Sequence, residues 1–133
     1  MAKKIKLTPA EWEIMNTIWE LGGETSVRDV LENTFPNGEK AYTTIQAFMT
    51  ILEKKKLLKR RKIGLVNFYT PLRKRDEVVK AEMSIMLSRL FNGSVTALAS
   101  SLLSMENVSM EEIEDLKKMI NEKEKKLRSN NNG

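Results

Sequence analysis

The stretch AYTTIQAFMTILEKKK, Ala41 to Lys56, decides how the rest of the chain is read. At 3.6 residues per turn, Ile45, Phe48, Met49 and Leu52 recur at i, i+3, i+4 and i+7, which is one apolar stripe of a helix. Opposite the stripe lie Thr43, Ala47, Thr50 and Lys54, flanked by Gln46. Short hydroxyl, methyl and amide side chains can approach and hydrogen-bond base edges in a DNA major groove, whereas a solvated face more often carries Glu and Lys throughout. Taken alone, these residues fit an ordinary surface helix at least as well as a recognition helix, so the neighbouring segments decide between the two.

Upstream, Leu7 to Leu21 carries overlapping helix-start signals: Thr8 as N-cap, Pro9 at the first helical position, Glu11 three residues after the cap, and Leu7 placed to staple against Trp12. Trp12, Ile14, Met15, Ile18 and Trp19 give it a broad apolar surface that belongs in a core, and Gly22-Gly23 ends it. A shorter helix is expected from Ser26 to about Thr34, with Val27, Val30 and Leu31 inward. Phe35-Pro36-Asn37-Gly38 is a turn, because Pro36 disfavours helix at Phe35 and Asn37-Gly38 tolerates positive φ. Two helices joined by a short turn match helix-turn-helix spacing.

Downstream, LLKRRKIGLVNFYTPL sets Leu58, Arg60 and Lys62 against Lys59, Arg61 and Ile63, and then Val66, Phe68, Thr70 and Leu72 against Asn67 and Tyr69. This alternation predicts a β-hairpin around Gly64. Seven of the nine residues from Lys54 to Lys62 are basic. A charge run is often only a solvated face; beside a recognition helix it lies where phosphates pass, and neutralising phosphates is the main sequence-independent source of DNA affinity. The expected fold class is mainly α with a small β-hairpin: a winged helix-turn-helix domain at 1–74 and a helical segment at 75–127, followed by a disordered tail at 128–133.

Charge divides the chain in the same way. Through Arg75 there are fifteen Lys and Arg against eight acids, a balance of +7; beyond it there are eight against ten, a balance of −2. In the second part Val79, Met83, Met86 and Leu90 form the seam of one helix. Asn92-Gly93 breaks it, Leu98 and Leu102 line a second helix, and Ile113, Leu116 and Ile120 line a third opened by the capping box Ser109-Met110-Glu111-Glu112. These helices are too thin in apolar residues for a monomeric core, so pairing with a second copy is the expected way to bury them.

Cysteine and histidine are both absent. Disulfides and thiolate metal sites are thereby excluded, as are the commonest general base and metal ligand, so no catalytic residue, metal site or cofactor is assigned. The paired acids Glu11/Glu13 and Glu111/Glu112 sit at helix starts, where they complement the dipole, and no nucleophile with its base accompanies them. No segment approaches the ~20 apolar residues of a membrane span, and a cytoplasmic location is expected.

Three blocks carry a resemblance: LTPAEWEIMNTIWELG at Leu7 to Gly22, TTIQAFMTILEKKKLL at Thr43 to Leu58, and NFYTPL at Asn67 to Leu72. With them the chain resembles the penicillinase-repressor family of bacterial winged-helix regulators, which includes regulators of β-lactamase, methicillin resistance and copper export. The resemblance implies a homodimer that represses transcription on a palindromic operator in double-stranded DNA. It places Thr43, Thr44, Gln46, Ala47 and Thr50 on the base- and backbone-contacting face, and Lys54, Lys55, Lys59, Arg60, Arg61 and Lys62 on the phosphate-contacting wing. It also implies an inactivating protease as partner in the antibiotic-responsive branch, whose Asn-Phe cut site falls near Ser101-Leu102 here and is not preserved in kind. The copper branch uses a cysteine motif that this chain lacks. Two positions depart from the family: Ile51 stands where a basic residue is common, and Lys56 replaces the usual glycine at the helix end, where a left-handed conformation costs a non-glycine residue about 1 kcal/mol. A winged-helix protein-interaction module and a DNA-binding protein without sequence preference stay open as rivals.

Overall fold

The structure is a computed structural model, described here for residues 6–131. Its elements run α1 (Pro9–Leu21), β1 (Thr25–Ser26), α2 (Val27–Thr34), α3 (Tyr42–Lys54), β2 (Leu58–Ile63), β3 (Val66–Pro71), α4 (Arg75–Phe91), α5 (Val95–Leu103) and α6 (Met110–Asn131). Two of the starts are closed by complete capping boxes. Thr8 Oγ1 accepts from the Glu11 amide while Glu11 accepts from the Thr8 amide, and Ser26 with Asp29 repeats the arrangement at α2. Gly22 ends α1 with a positive φ of 69°.

The chain forms two compact units, Met1–Ile85 and Met86–Gly133. The first unit includes the N-terminal part of α4, whose Val78 is buried in its core. That core joins Ile14, Met15 and Ile18 of α1, Val27 and Val30 of α2, Ile45, Met49 and Leu52 of α3, and Leu57, Leu58 and Tyr69. Trp12, Trp19, Leu31 and Phe48 pack against it from partly exposed positions, and Trp19 Nε1 donates to the Arg73 carbonyl at 2.9 Å.

The sheet has three strands in the order β1-β3-β2, all antiparallel, so the hairpin acquires a strand that alternation did not predict. Two residues are too few to show a period. Thr25 and Ser26 pair with Tyr69 and Phe68, which joins the root of the hairpin to the α1–α2 connection. The wing itself is closed by a two-residue turn, with Ile63 opposite Val66. Gly64 has φ 63° and Leu65 does not share the positive φ, the pattern of a type II′ turn.

In the second unit Ser94 caps α5 by accepting from the Ala97 amide. The third helix runs to Asn131, four residues into the stretch expected to be a disordered tail. An i,i+4 pair between Glu124 and Arg128 supports that last turn, where the cation also suits the helix C-terminus. Residues 132 and 133, the end of the expected tail, lie outside the described residues. No described residue of α5 or α6 is fully buried, and Leu90, Leu102, Leu116 and Ile120 are exposed, with Met86, Leu98 and Ile113 half-buried.

The end of α3 settles the question raised by Lys56. Its φ is 64°, the Leu57 amide donates to the Leu52 carbonyl, and the Lys56 amide donates to the Glu53 carbonyl, both at 3.0 Å. This is a Schellman motif with Lys56 in the left-handed position, and its apolar contact is supplied by Leu52 and Leu57, both buried. The packing of Leu57 and Leu58 holds a lysine in the conformation a glycine would adopt freely. Lys56→Gly is therefore expected to stabilise the fold by about 0.5–1 kcal/mol, less whatever the more flexible unfolded chain regains. Chemical unfolding checks this; a destabilised variant would contradict the strain assignment.

Candidate nucleic-acid interface

Burial of Ile45, Met49 and Leu52 fixes the rotation of α3 about its own axis, and the opposite face follows from the period. Thr43, Thr44, Gln46, Ala47 and Thr50 are all exposed, together with Ile51 and Lys54. Thr50 Oγ1 donates to the Gln46 carbonyl at 3.0 Å, so its hydroxyl meets an outside group as an acceptor. The α3 N-cap is Ala41, which gives no side-chain hydrogen bond, whereas α1, α2 and α5 are each capped by a hydroxyl. Arg28 of α2 lies over the Tyr42 ring at 5.9 Å and braces the start of α3.

The six candidate phosphate contacts do not form one uniform patch. Strand alternation places Arg60 and Lys62 on the face of β2 shared with Leu58, and Lys59 and Arg61 on the other. Lys55 does not take its expected place. Its ammonium has three donors, and all three are used: 2.9 and 2.8 Å to the two oxygens of Glu11 and 2.8 Å to the Lys6 carbonyl. Glu11 is only 2% exposed, so releasing Lys55 to a phosphate would leave a buried carboxylate uncompensated. Lys55 is a structural cation that ties the end of α3 to the start of α1.

Two wing arginines also have acidic partners. Arg61 reaches Glu24 with both its Nε, at 2.9 Å, and a terminal nitrogen, and Arg60 Nε lies 3.6 Å from Glu53. The Arg61 hydrogen bond holds the Glu24 carboxylate below its ordinary range despite some desolvation. These pairs are solvent-exposed, so they contribute little to stability, and a phosphate can compete for the arginines. Lys54, Lys59 and Lys62 have no acidic partner within ion-pair distance among the described residues. Sequence reasoning missed Glu24 and Glu53 as internal counter-ions, and it read Glu11 as a capping-box and dipole residue without its pairing to Lys55. The capping box was the available signal for Glu11, since a side chain folded back onto its own cap lies against the helix rather than in solvent.

Among the described residues there is no group of His, Cys, Asp and Glu that could hold a metal ion, and no helix long and apolar enough to cross a membrane. Three helices with a basic hairpin docked beside the third define a winged helix-turn-helix protein. Residues 7–122 match the family described as penicillinase repressor, and the chain belongs to that family. It is 29% identical over 126 residues to a penicillinase repressor of Staphylococcus aureus, covering 93% of this chain and 98% of the relative. It is 26% identical over 121 residues to the methicillin resistance regulatory protein MecI of Mammaliicoccus sciuri, covering 91% and 98%. The solution structure of the DNA binding domain of the repressor BlaI aligns with a TM-score of 0.50 at 28% identity, covering 58% of this chain and 93% of that one.

The Glu11–Lys55 pair has a pH signature. Burial raises the Glu11 pKa, but the hydrogen bonds from Lys55 and from Thr8 together outweigh it and hold the group below its ordinary 4.5. A pKa lowered on folding contributes stability that is complete above the unfolded value and is lost as pH falls through the folded one. Glu11→Gln keeps a capping side chain but removes the charge, and it is expected to cost about 1.5–3 kcal/mol at neutral pH. In denaturant titrations the gap to the wild type should close as pH drops below about 4.5. A gap that stays constant into strong acid would show that Glu11 acts through packing alone.

Proposed function

We propose that this chain is a DNA-binding transcriptional repressor that reads a palindromic operator as a homodimer, one winged domain per half-site. The observation that carries the proposal is the rigidly presented face of Thr43, Thr44, Gln46, Ala47 and Thr50, whose helix is fixed from behind by a buried stripe and flanked by a basic hairpin. Gln46 can make paired hydrogen bonds to an adenine edge, and Ala47 and the threonine methyls suit a thymine methyl. Lys54, Lys59 and Lys62 serve as the phosphate contacts, while Arg60 and Arg61 first exchange a carboxylate partner for a phosphate. The relatives' names support repression: each is a penicillinase repressor or a methicillin resistance regulator. A repressor acts where its DNA lies, so the proposed location is the cytoplasm.

Dimerisation is assigned to α4, α5 and α6. The residues expected to pair, Val79, Met83, Met86 and Leu90 on α4, Leu98 and Leu102 on α5, and Ile113, Leu116 and Ile120 on α6, are exposed or half-buried in a single chain. Leu102, Leu103, Met105, Val108, Leu116 and Met119 also line an apolar cleft of about 520 Å³ in the second unit. Burying this surface against the same surface of a second copy removes it from water, and the two-fold axis so formed matches a palindrome. Release by a protease near Ser101-Leu102 would cut the exposed end of α5 and so break this surface.

Anisotropy titrations against a selected duplex and a random one separate the roles. Gln46→Ala is expected to lower affinity for the selected duplex by about 1–3 kcal/mol and leave the random one nearly unchanged. Lys62→Ala is expected to weaken both alike and to reduce the slope of log affinity against log salt by roughly one per domain. Equal losses on both duplexes from both variants would favour a DNA-binding protein without sequence preference. Absence of duplex binding would favour the protein-interaction module.

A further inference from the structure

The wing ends in side chains that phosphate contact does not use. Beyond Leu58 and Tyr69 the core stops, and every residue from Lys59 to Val66 is exposed. At the tip, Ile63 and Val66 face each other across the strands at 49% and 47% exposure, and Leu65 stands 93% exposed at the second position of the turn. The type II′ turn requires Gly64 for its positive φ but places no demand on Leu65, since a polar residue suits that position equally well. Leu65 therefore projects into solvent without supporting the fold, beside Ile63 and Val66, whose cross-strand pair closes the hairpin while leaving about half of each side chain open.

Their surroundings select the partner. From Lys54 to Arg75 the chain contains no Asp or Glu; behind the tip Lys59 and Lys62 have no acidic partner among the described residues, while Arg60 and Arg61 share their charge with Glu53 and Glu24. Such a field attracts a polyanion and repels a second copy of the same wing. Six-residue strands extend about 20 Å, and half a turn of duplex separates a major groove from the next minor groove by about 17 Å. A hairpin rooted three residues after α3 thus has the reach to touch the minor groove flanking the major groove that α3 reads. Apolar side chains used in minor grooves lie against the sugars or wedge between base steps and bend the duplex.

We infer that Leu65, flanked by Ile63 and Val66, is an apolar wedge for the minor groove of double-stranded DNA at the edge of the bound site. The inference rests on the DNA-binding reading given above and adds to it a contact that is not electrostatic. Full-length protein is titrated against a duplex selected by the wild type from a random library. Dyes at the two duplex ends report bending by energy transfer. Leu65→Ser, which keeps the turn and touches no core residue, is expected to lower affinity about tenfold, as burial of one leucine implies, and to lose the bend. Its salt slope should equal that of the wild type, because an apolar contact releases no counterions. Leu65→Phe should retain both affinity and bend.

Equal affinity and bending for wild type and Leu65→Ser would overturn the wedge while leaving the DNA-binding reading intact. So would a loss of affinity accompanied by a changed salt slope, or an effect on oligomeric state or protein partners with DNA binding untouched. A wild type that binds no duplex would overturn both readings together.

Discussion

Burial of one stripe of α3 is the constraint on which the rest of the structure depends. Ile45, Met49 and Leu52 are sealed against α1, α2 and the hairpin root, so the helix has one allowed rotation, and that rotation turns Thr43, Gln46, Ala47 and Thr50 outward. Each end is then fixed separately. Arg28 over Tyr42 braces the start, while at the end the Schellman turn and the Glu11–Lys55 pair join α3 to the hairpin and to α1. This junction costs stability at Lys56, where a lysine is kept in a glycine conformation.

The positive charge of the wing is less available than its residue count implies. Lys55 is consumed by Glu11, and Arg60 and Arg61 are engaged by Glu53 and Glu24. Carboxylates at those positions lower the general attraction for DNA without touching the outward face of α3 proposed to read bases. A repressor must discriminate its site against a large excess of other DNA, and limiting the sequence-independent term serves that discrimination.

How much was legible in the sequence follows from the range of each interaction. The caps at Thr8 and Ser26, the turn at Phe35 to Gly38, the stripe of α3 and the hairpin about Gly64 are all encoded within a few residues, and each appears where local pattern places it. The exposure of Thr43, Gln46, Ala47 and Thr50 followed from period, whereas Thr44 was added only by the family resemblance. Contacts between distant segments were not legible: Glu24 meets Arg61 across 37 positions and Glu11 meets Lys55 across 44, and nothing in composition pairs them. The short strand Thr25–Ser26 was missed for the same reason, since it exists only through its pairing with β3. The expected tail at 128–133 rested on its place at the chain terminus, whereas α6 continues to Asn131 because a long helix carries its last turn with it.

The central claim is that one outward face of α3, presented twice about a two-fold axis, reads DNA. Selection of bound fragments from a random duplex library by the full-length protein tests it most directly. The account predicts an enriched inverted repeat whose half-sites are centred about one helical turn apart, or a multiple of it. Recovery of no motif, or of a single half-site without symmetry, would contradict it.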